Sequence, residues 1–253
     1  MSSVIYKHRL LAGACVVAMA SASHAATITW DAAATNVDYA VTTQVSAANT
    51  FVDSFTFRAT DTTVNGVTFK RYTGSAASVA SFAGSNTTVD LGTGGDQYPG
   101  GSNPDNRSTY NAYATMLGYA GQVANPVGAY VKFSGLTSGT AYQIQLWNAA
   151  WDNSYPTIYS SSADFTTGVS PQVKSIGSVF TDSSIDPVKD KFVPQFINGS
   201  FVADETSQTI YFKQGANWTM PSSGQIRAVV PEPASLALLG LSALSLLTRR
   251  RRA

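Results

Sequence analysis

Apolar and polar residues alternate in short runs along most of the chain, a pattern typical of half-buried β-strands. In the clearest run, Ala141–Trp147, alternate side chains fall on two opposite faces: Tyr142, Ile144 and Leu146 on one, and Gln143, Gln145 and Trp147 on the other. Further runs predict strands at residues 27–30, 54–57, 64–69, 88–91, 128–133, 192–202, 208–212 and 225–229. The chain therefore has the pattern of an all-β protein.

Turn residues separate these runs. Asn65-Gly66 lies between two valines and predicts a tight hairpin turn, and the polar stretch ADETSQ at 203–208 predicts another turn. Residues 108–120 differ, because their apolar positions recur at helical spacing. We expect one short helix there, with Asp105 or Ser108 as its N-cap.

The N-terminus has the pattern of a signal peptide. Lys7 and Arg9 form a basic region, an apolar run follows at 10–20, and Ser23-His24-Ala25 is a small-x-small cleavage site. Residues 1–25 are therefore predicted to be removed. The alternative of a lipoprotein cysteine at Cys15 is weaker, since no leucine stands three positions before it.

The C-terminus combines three features in order. Pro231, Glu232 and Pro233 precede an uncharged apolar run at 234–248, and the basic cluster Arg249, Arg250, Arg251 and Arg252 follows. A helix over the apolar run would be about 22 Å long, against a hydrocarbon core of roughly 30 Å. We predict a transmembrane helix whose arginine end stays in the cytoplasm, because positive residues favour that side.

The body between these segments, residues 26–229, contains no cysteine or histidine, because Cys15, His8 and His24 all lie in the leader. This absence excludes disulfides, thiolate nucleophiles, Cys/His zinc sites and a Ser-His-Asp triad in the body. Of the 16 Lys and Arg residues two lie in the leader and four in the tail, and one of the 15 Asp and Glu residues lies in the tail. The remaining ten and fourteen leave a net charge of about −4, so nucleic acid is not an expected partner.

Carboxylate pairs are the acid–base chemistry that remains. Glu205 is the single glutamate of the body, and its neighbour Asp204 would point to the opposite face of a strand. The sequence therefore favours a protein that is not an enzyme. A carboxylate-dependent glycan hydrolase or lyase stays the alternative.

The tail resembles a PEP-CTERM sorting signal on the Pro231-Glu232-Pro233 motif, the apolar run and the arginine cluster. The resemblance implies delivery to an exosortase-type membrane protease or transpeptidase, in a Gram-negative bacterium. It also implies anchoring in the inner membrane before processing, followed by release to the cell surface or an exopolysaccharide matrix. Residues 230–253 are assigned to this signal.

The body resembles the C-terminal half of jelly-roll domains common in PEP-CTERM proteins, on the blocks LTSGTAYQIQLWN and GSFVADETSQTIYF. Those domains are similar to galactose-binding-like and carbohydrate-binding modules. The resemblance implies a single jelly-roll-like β-sandwich over 26–229, to which the apolar spacing at 108–120 adds one short helix. The Leu136-x-x-Gly139-x-x-Tyr142 block is also similar to a sandwich corner that a tyrosine side chain pins.

Aromatic residues between positions 147 and 159 suggest a sugar-binding surface, since flat rings stack on sugars and polar side chains bind hydroxyls. The candidate ligand-binding residues are Gln143, Gln145, Trp147, Trp151, Asp152 and Asn153, with Tyr155 and Tyr159 nearby. If Trp147 is exposed, Trp147→Ala should abolish retention on a polysaccharide column with the melting temperature nearly unchanged. The alternative is that a loop or helix covers this face and makes Trp147 part of the core.

The sequence predicts no cofactor, with calcium as the alternative. Asp96 and Asp105 are the candidate ligands in a loop that also holds Asn103 and Asn106. The loop lacks the EF-hand pattern, and such residues also form plain turns.

The sequence as a whole predicts an exported, exosortase-sorted surface or matrix protein without enzymatic activity that binds exopolysaccharide. A purely structural adhesion protein is the other non-enzymatic alternative.

Overall fold

The alternating runs form strands that build two facing β-sheets, as a computed structural model of the chain shows. The structure describes residues 25–58, 60–72, 79–91, 95–97, 111–117, 121–123, 129–149, 156–174, 176–177, 192–214 and 221–230. The predicted β-sandwich with one short helix is confirmed within these residues. The signal peptide and the transmembrane helix were predicted for segments that lie outside the described residues, apart from Ala25 and Val230.

The elements are short. Each of the nine predicted runs overlaps a strand of the structure, whereas the strands at 35–36, 79–81, 95–97, 121–123, 157–160 and 176–177 were not predicted. In chain order they are β1 (Thr29–Trp30), β2 (Thr35–Asn36), a 3₁₀ helix (Thr42–Gln44), β3 (Thr50–Thr56), β4 (Thr62–Val64), β5 (Val67–Arg71), β6 (Val79–Ser81), β7 (Thr87–Asp90), β8 (Gly95–Gln97), α1 (Ala112–Leu117), β9 (Gly121–Val123), β10 (Tyr130–Ser134), β11 (Ala141–Asn148), β12 (Thr157–Ser160), β13 (Ile176–Gly177), β14 (Phe192–Val193), β15 (Gln195–Val202), β16 (Ser207–Gln214) and β17 (Pro221–Ala228). Among the described residues, no helix is both long and apolar enough to cross a membrane.

Eight of the described strands form the large sheet and five form the small sheet. The large sheet has the order β1-β15-β11-β17-β3-β5-β4, and β2 also pairs with β15. The small sheet has the order β12-β16-β10-β7-β6. The pairings are antiparallel except that of β3 with β5. Three of the four eight-residue strands, β11, β15 and β17, lie side by side and form the centre of the large sheet.

Two local predictions about turns are confirmed. Asn65 and Gly66 connect β4 to β5 with φ values of 47° and 74°, the left-handed conformation that a two-residue hairpin requires. At the predicted corner, the Thr137 backbone N–H donates to the Tyr142 hydroxyl oxygen at 2.8 Å. The tyrosine side chain therefore pins the turn that leads into β11.

The main core lies between the two sheets. On β11 its members are Tyr142, Ile144 and Leu146, the residues that the sequence placed on one face. Gly224 of β17 faces the same core, where an added Cβ would come within 2.5 Å of Phe55 Cε1. A side chain at position 224 would therefore displace the aromatic ring that fills the space between the sheets.

A buried carboxylate joins the two sheets at one edge of this core. Asp53 of β3 is 5% exposed, and its Oδ2 accepts hydrogen bonds of 2.8 Å from Ser85 Oγ, Asn86 N and Thr87 Oγ1. These three groups belong to the turn into β7 of the small sheet. Hydrogen bonds to a charged acceptor are stronger than neutral ones, so they offset the cost of burying the carboxylate.

Helix α1 confirms the helix prediction but corrects its cap. The helix begins at Ala112, and the Ala114 backbone N–H donates to Asn111 Oδ1 at 2.9 Å. Asn111 therefore caps the helix, because it stands immediately before the first helical residue. The predicted caps, Asp105 and Ser108, lie outside the described residues.

A second core lies on the opposite face of the large sheet. Segment 37–45, the β4–β5 hairpin and α1 pack against that face and bury Val45, Phe69, Met116 and Trp147, each at 0% exposure. The large sheet is thus covered on both sides over part of its length. This explains why seven of the eight residues of β17 are buried without alternation.

Candidate functional site

The face of the large sheet that points away from the small sheet, here called the outer face, carries three rows of cross-strand neighbours. Each row crosses β15, β11, β17 and β3 in that order. The first row is Phe196, Trp147, Ser223 and Thr56, the second is Asn198, Gln145, Gln225 and Ser54, and the third is Ser200, Gln143, Arg227 and Phe51. The first row lies under the second core and is called the covered half. The third row, together with Asn198 and Asp31, is called the open half.

Trp147 belongs to the covered half. Its ring lies 5.6 Å from that of Phe69 and 5.9 Å from that of Phe196, and its Nε1 donates to the Tyr113 hydroxyl at 3.1 Å. The side chain is 0% exposed. The structure therefore corrects the hypothesis of an exposed ring at Trp147 and matches the alternative in which a helix covers this face.

Hydrogen bonds from the large sheet hold α1 in place over the covered half. Thr56 Oγ1 and Ser223 Oγ both donate to the Met116 carbonyl oxygen, at 3.1 and 3.3 Å. Burial raises the pKa of Tyr113, helped by the neighbouring Tyr39 and Asp38, while the hydrogen bond from Trp147 acts in the opposite direction. The neutral phenol is therefore a fixed part of the second core at ordinary pH.

Gln145 and Gln225 form the boundary between the two halves. Gln225 Nε2 donates to Gln145 Oε1 at 2.8 Å, and Gln145 Nε2 donates to the Gln44 carbonyl oxygen at 2.8 Å. Gln145 Oε1 also accepts from the Ser46 backbone N–H at 3.2 Å. Both side chains are almost fully buried. The hydrogen bonds of the predicted binding residue Gln145 thus hold segment 44–46 against the sheet.

Arg227 fastens the next part of the same segment. Its Nη2 donates to the carbonyl oxygens of Ala47 and Asn49, both at 2.9 Å, and its Nε donates to that of Ala48. Its Nη1 lies 3.4 Å from Gln225 Oε1. The residue is 6% exposed, and burial lowers the pKa of its guanidinium.

A groove of about 440 Å³ runs over the open half between segment 44–46 and the strands β1 and β15. Its polar lining includes Asp31, Gln143, Gln145, Asn198, Ser200 and Arg227, and Trp30 and Phe196 also contribute to its walls. Asn198 Nδ2 donates to Asp31 Oδ2 at 2.9 Å, and Asn49 Nδ2 donates to Gln143 Oε1 at 2.8 Å. These bonds orient the Asn198 and Gln143 side chains, and they leave both N–H groups of the Gln143 amide available.

Of the other predicted site residues, Tyr159 is described with its side chain and does not line this groove. Tyr159 is 1% exposed in the main core, where burial raises its pKa. Trp151, Asp152, Asn153, Tyr155 and Asp105 lie outside the described residues, and Asp96 is known only as a backbone position in β8. Within the described residues, no group of three or more His, Cys, Asp or Glu residues is placed to hold a metal ion.

Of the six polar groove residues named above, four were not predicted from the sequence: Asp31, Asn198, Ser200 and Arg227. Three of them stand in predicted strands at alternate positions, since Asn198 and Ser200 flank Gly199 and Arg227 follows Ile226. That alternation indicates that these three side chains point away from the core between the sheets. It does not indicate which strands become neighbours, and the groove exists because β15, β11 and β17 are adjacent.

The fold and the groove define a β-sandwich protein with a polar, open surface on its larger sheet. A family model, the PEP-CTERM protein-sorting motif, matches residues 229–252, directly after the end of β17. No curated protein and no solved structure matches the chain. The chain therefore carries the signal of an exported protein that is anchored in a membrane and processed by an exosortase, a membrane enzyme.

Proposed function

We propose that this exported protein is a non-enzymatic surface or matrix protein that binds polysaccharide in the groove on the open half. The observation that carries the proposal is the row Ser200, Gln143, Arg227, in which hydroxyl, amide and guanidinium groups stand side by side on adjacent strands. Hydrogen-bonded strands hold these groups in a fixed relation. A pre-organised surface of this kind loses little entropy when it binds a ligand.

The chemistry of the groove suits a sugar. Amide and hydroxyl groups donate to and accept from sugar hydroxyls, and Asp31 supplies a carboxylate acceptor near the β1 side. Trp30 and Phe196 add apolar wall against which sugar C–H groups can pack. The volume of about 440 Å³ lies within the usual range for small-molecule sites.

A binding role is favoured over the hydrolase or lyase alternative. Glycoside hydrolysis uses two carboxyl groups on either side of the scissile bond. Among the described residues that line the groove, Asp31 is the one carboxylate, and it already accepts a hydrogen bond from Asn198. We therefore assign the groove to ligand retention.

We further propose that the body is a jelly-roll variant and that its ligand is the exopolysaccharide of a Gram-negative cell. The later strands support the topology, because β10, β12 and β16 of the small sheet alternate along the chain with β11, β15 and β17 of the large sheet. Calcium at Asp96 and Asp105 remains a proposal. A melting temperature that falls on addition of EDTA would support it, and an unchanged one would remove it.

A glycan array probed with the full chain, purified in mild detergent, tests the binding function. We expect Gln143→Ala to weaken every positive signal, because it removes the available amide. Gln172→Ala is the matched control, since Gln172 is an exposed glutamine outside the groove. Equal loss of signal in both variants, or the absence of any signal in the parent protein, would contradict the proposal.

A further inference from the structure

Arg227 places a positive charge at one end of the groove, and its acceptors are all neutral. They are the carbonyl oxygens of residues 47–49 and the side-chain oxygen of Gln225. The ion pair of Lys70 with Asp61 lies on another part of the large sheet and does not involve Arg227. Among the described residues, the buried guanidinium therefore has hydrogen-bond acceptors and the Phe51 ring, 5.7 Å away, but no carboxylate within ion-pair distance.

The hydrogen bonds of Arg227 leave part of the guanidinium available. Its Nε hydrogen and both Nη2 hydrogens are committed to the carbonyl oxygens, while Nη1 has one long contact of 3.4 Å for its two hydrogens. A buried cation without a counter-charge is costly, and carbonyl dipoles offset only part of the cost. A guanidinium is also the cationic group whose planar geometry best fits a carboxylate. An anionic ligand group in this end of the groove would supply the missing charge.

The geometry points to acidic polysaccharide, with sugar carboxylates of the uronic-acid type, as the ligand class of the groove, and to Arg227 as the residue that determines this specificity. This inference rests on the proposed function. The ligand carboxylate would lie at the Arg227 end, beside the amide of its cross-strand neighbour Gln143. The hydroxyl groups would lie toward Ser200 and Asp31, because the carboxylate of Asp31 accepts hydroxyls and repels a second carboxylate.

The charge of the whole body makes this preference specific to the groove. Residues 26–229 contain ten basic and fourteen acidic residues, a net charge of about −4. A body with this charge does not attract polyanions in general. A preference for acidic glycans would therefore have to arise from a local positive group, and Arg227 is the cation among the described residues that line the groove.

An array of glycans in matched pairs, each a uronic acid and its carboxyl-reduced hexose, tests the inference on the full chain. We expect the acidic member to bind about tenfold more tightly, the effect of one charge-assisted hydrogen bond. Equal or better binding of the hexose members would overturn the inference and leave the proposed function intact. Binding to neither member of any pair would overturn both.

Substitutions at Arg227 test whether this residue causes the preference for acidic glycans. Arg227→Gln should remove the difference between acidic and neutral members, whereas Arg71→Gln, which removes the same charge at an exposed site outside the groove, should preserve it. Where Arg227→Gln fails to fold, Arg227→Lys retains the charge and should keep a reduced preference. A full preference in a folded Arg227→Gln protein, or its complete loss in a folded Arg227→Lys protein, would refute the role of the charge.

Discussion

The covered and open halves of the outer face use the same strands and differ in what lies over them. In the covered half, Trp147 and Phe196 meet α1, segment 37–45 and the β4–β5 hairpin and become a second core. In the open half, Gln143 and Ser200 stay exposed. The difference teaches that strand alternation decides the direction of a side chain, while its role as core or site is decided by the segment that covers it.

The change from one half to the other takes place over a few residues of β11. Trp147 is fully buried, Gln145 is buried among hydrogen bonds, and Gln143 is exposed. Along a strand these alternate positions are roughly 7 Å apart. The three residues therefore sample core, boundary and groove on one strand, and substitutions at them test the comparison directly.

The largest expected effect is that of Trp147→Ala. The substitution removes a side chain that fills the second core, so we expect a loss of about 3–5 kcal/mol in the free energy of unfolding. Urea denaturation followed by circular dichroism measures it. An unchanged melting temperature together with lost polysaccharide retention would restore the hypothesis of an exposed tryptophan.

Gln145→Ala is expected to have an intermediate effect. It leaves the Ser46 N–H, the Gln44 carbonyl and the Gln225 amide without the partner they share, which should cost about 1–3 kcal/mol. Gln172→Ala, at an exposed loop position, should change the free energy of unfolding by less than about 0.5 kcal/mol. Similar values for the two variants would mean that the boundary does not hold segment 44–46.

Tyr113 makes the covered half sensitive to alkali. Burial raises its pKa above the value of about 10 that it has in an unfolded chain, so its stabilising contribution is complete below pH 10 and is lost as pH rises through the folded pKa. Tyr113→Phe should cost about 1 kcal/mol at neutral pH, because Trp147 Nε1 loses its acceptor. The free energy of unfolding of the Tyr113→Phe variant should then fall less steeply above pH 10 than that of the parent. Parallel curves of unfolding free energy against pH for the two proteins would exclude Tyr113 as a source of the stability lost at high pH.

The smallest expected effect on stability is that of Gln143→Ala. Its exposed side chain has one hydrogen bond, from Asn49, so the free energy of unfolding should change by less than about 0.5 kcal/mol. Glycan retention should fall nonetheless. A large loss of stability would show that Gln143 belongs to the boundary and not to the groove.

Local patterns in the sequence predicted what depends on near neighbours. The inward direction of Tyr142, Ile144 and Leu146, the hairpin at Asn65-Gly66 and the tyrosine corner follow from alternation and turn chemistry. A cover over Trp147 was one of the two alternatives, but the segment that provides it could not be predicted, because α1 stands about thirty residues earlier in the chain and its docking depends on tertiary contacts. The groove was predicted only at Gln143 and Gln145, since its other residues arrive through strand pairing.

Strand β17 ends at Ala228, one residue before the sorting motif, and lies in the middle of the large sheet between β11 and β3. The Val229 N–H still donates to the Ala141 carbonyl oxygen at 2.8 Å. A pulling force applied through the C-terminal end along the axis of β17 would load two ladders of hydrogen bonds in shear at once. An edge strand would instead be peeled away one bond at a time. The attachment of the tail to a central strand thus gives a tethered protein mechanical resistance at the point where the load enters.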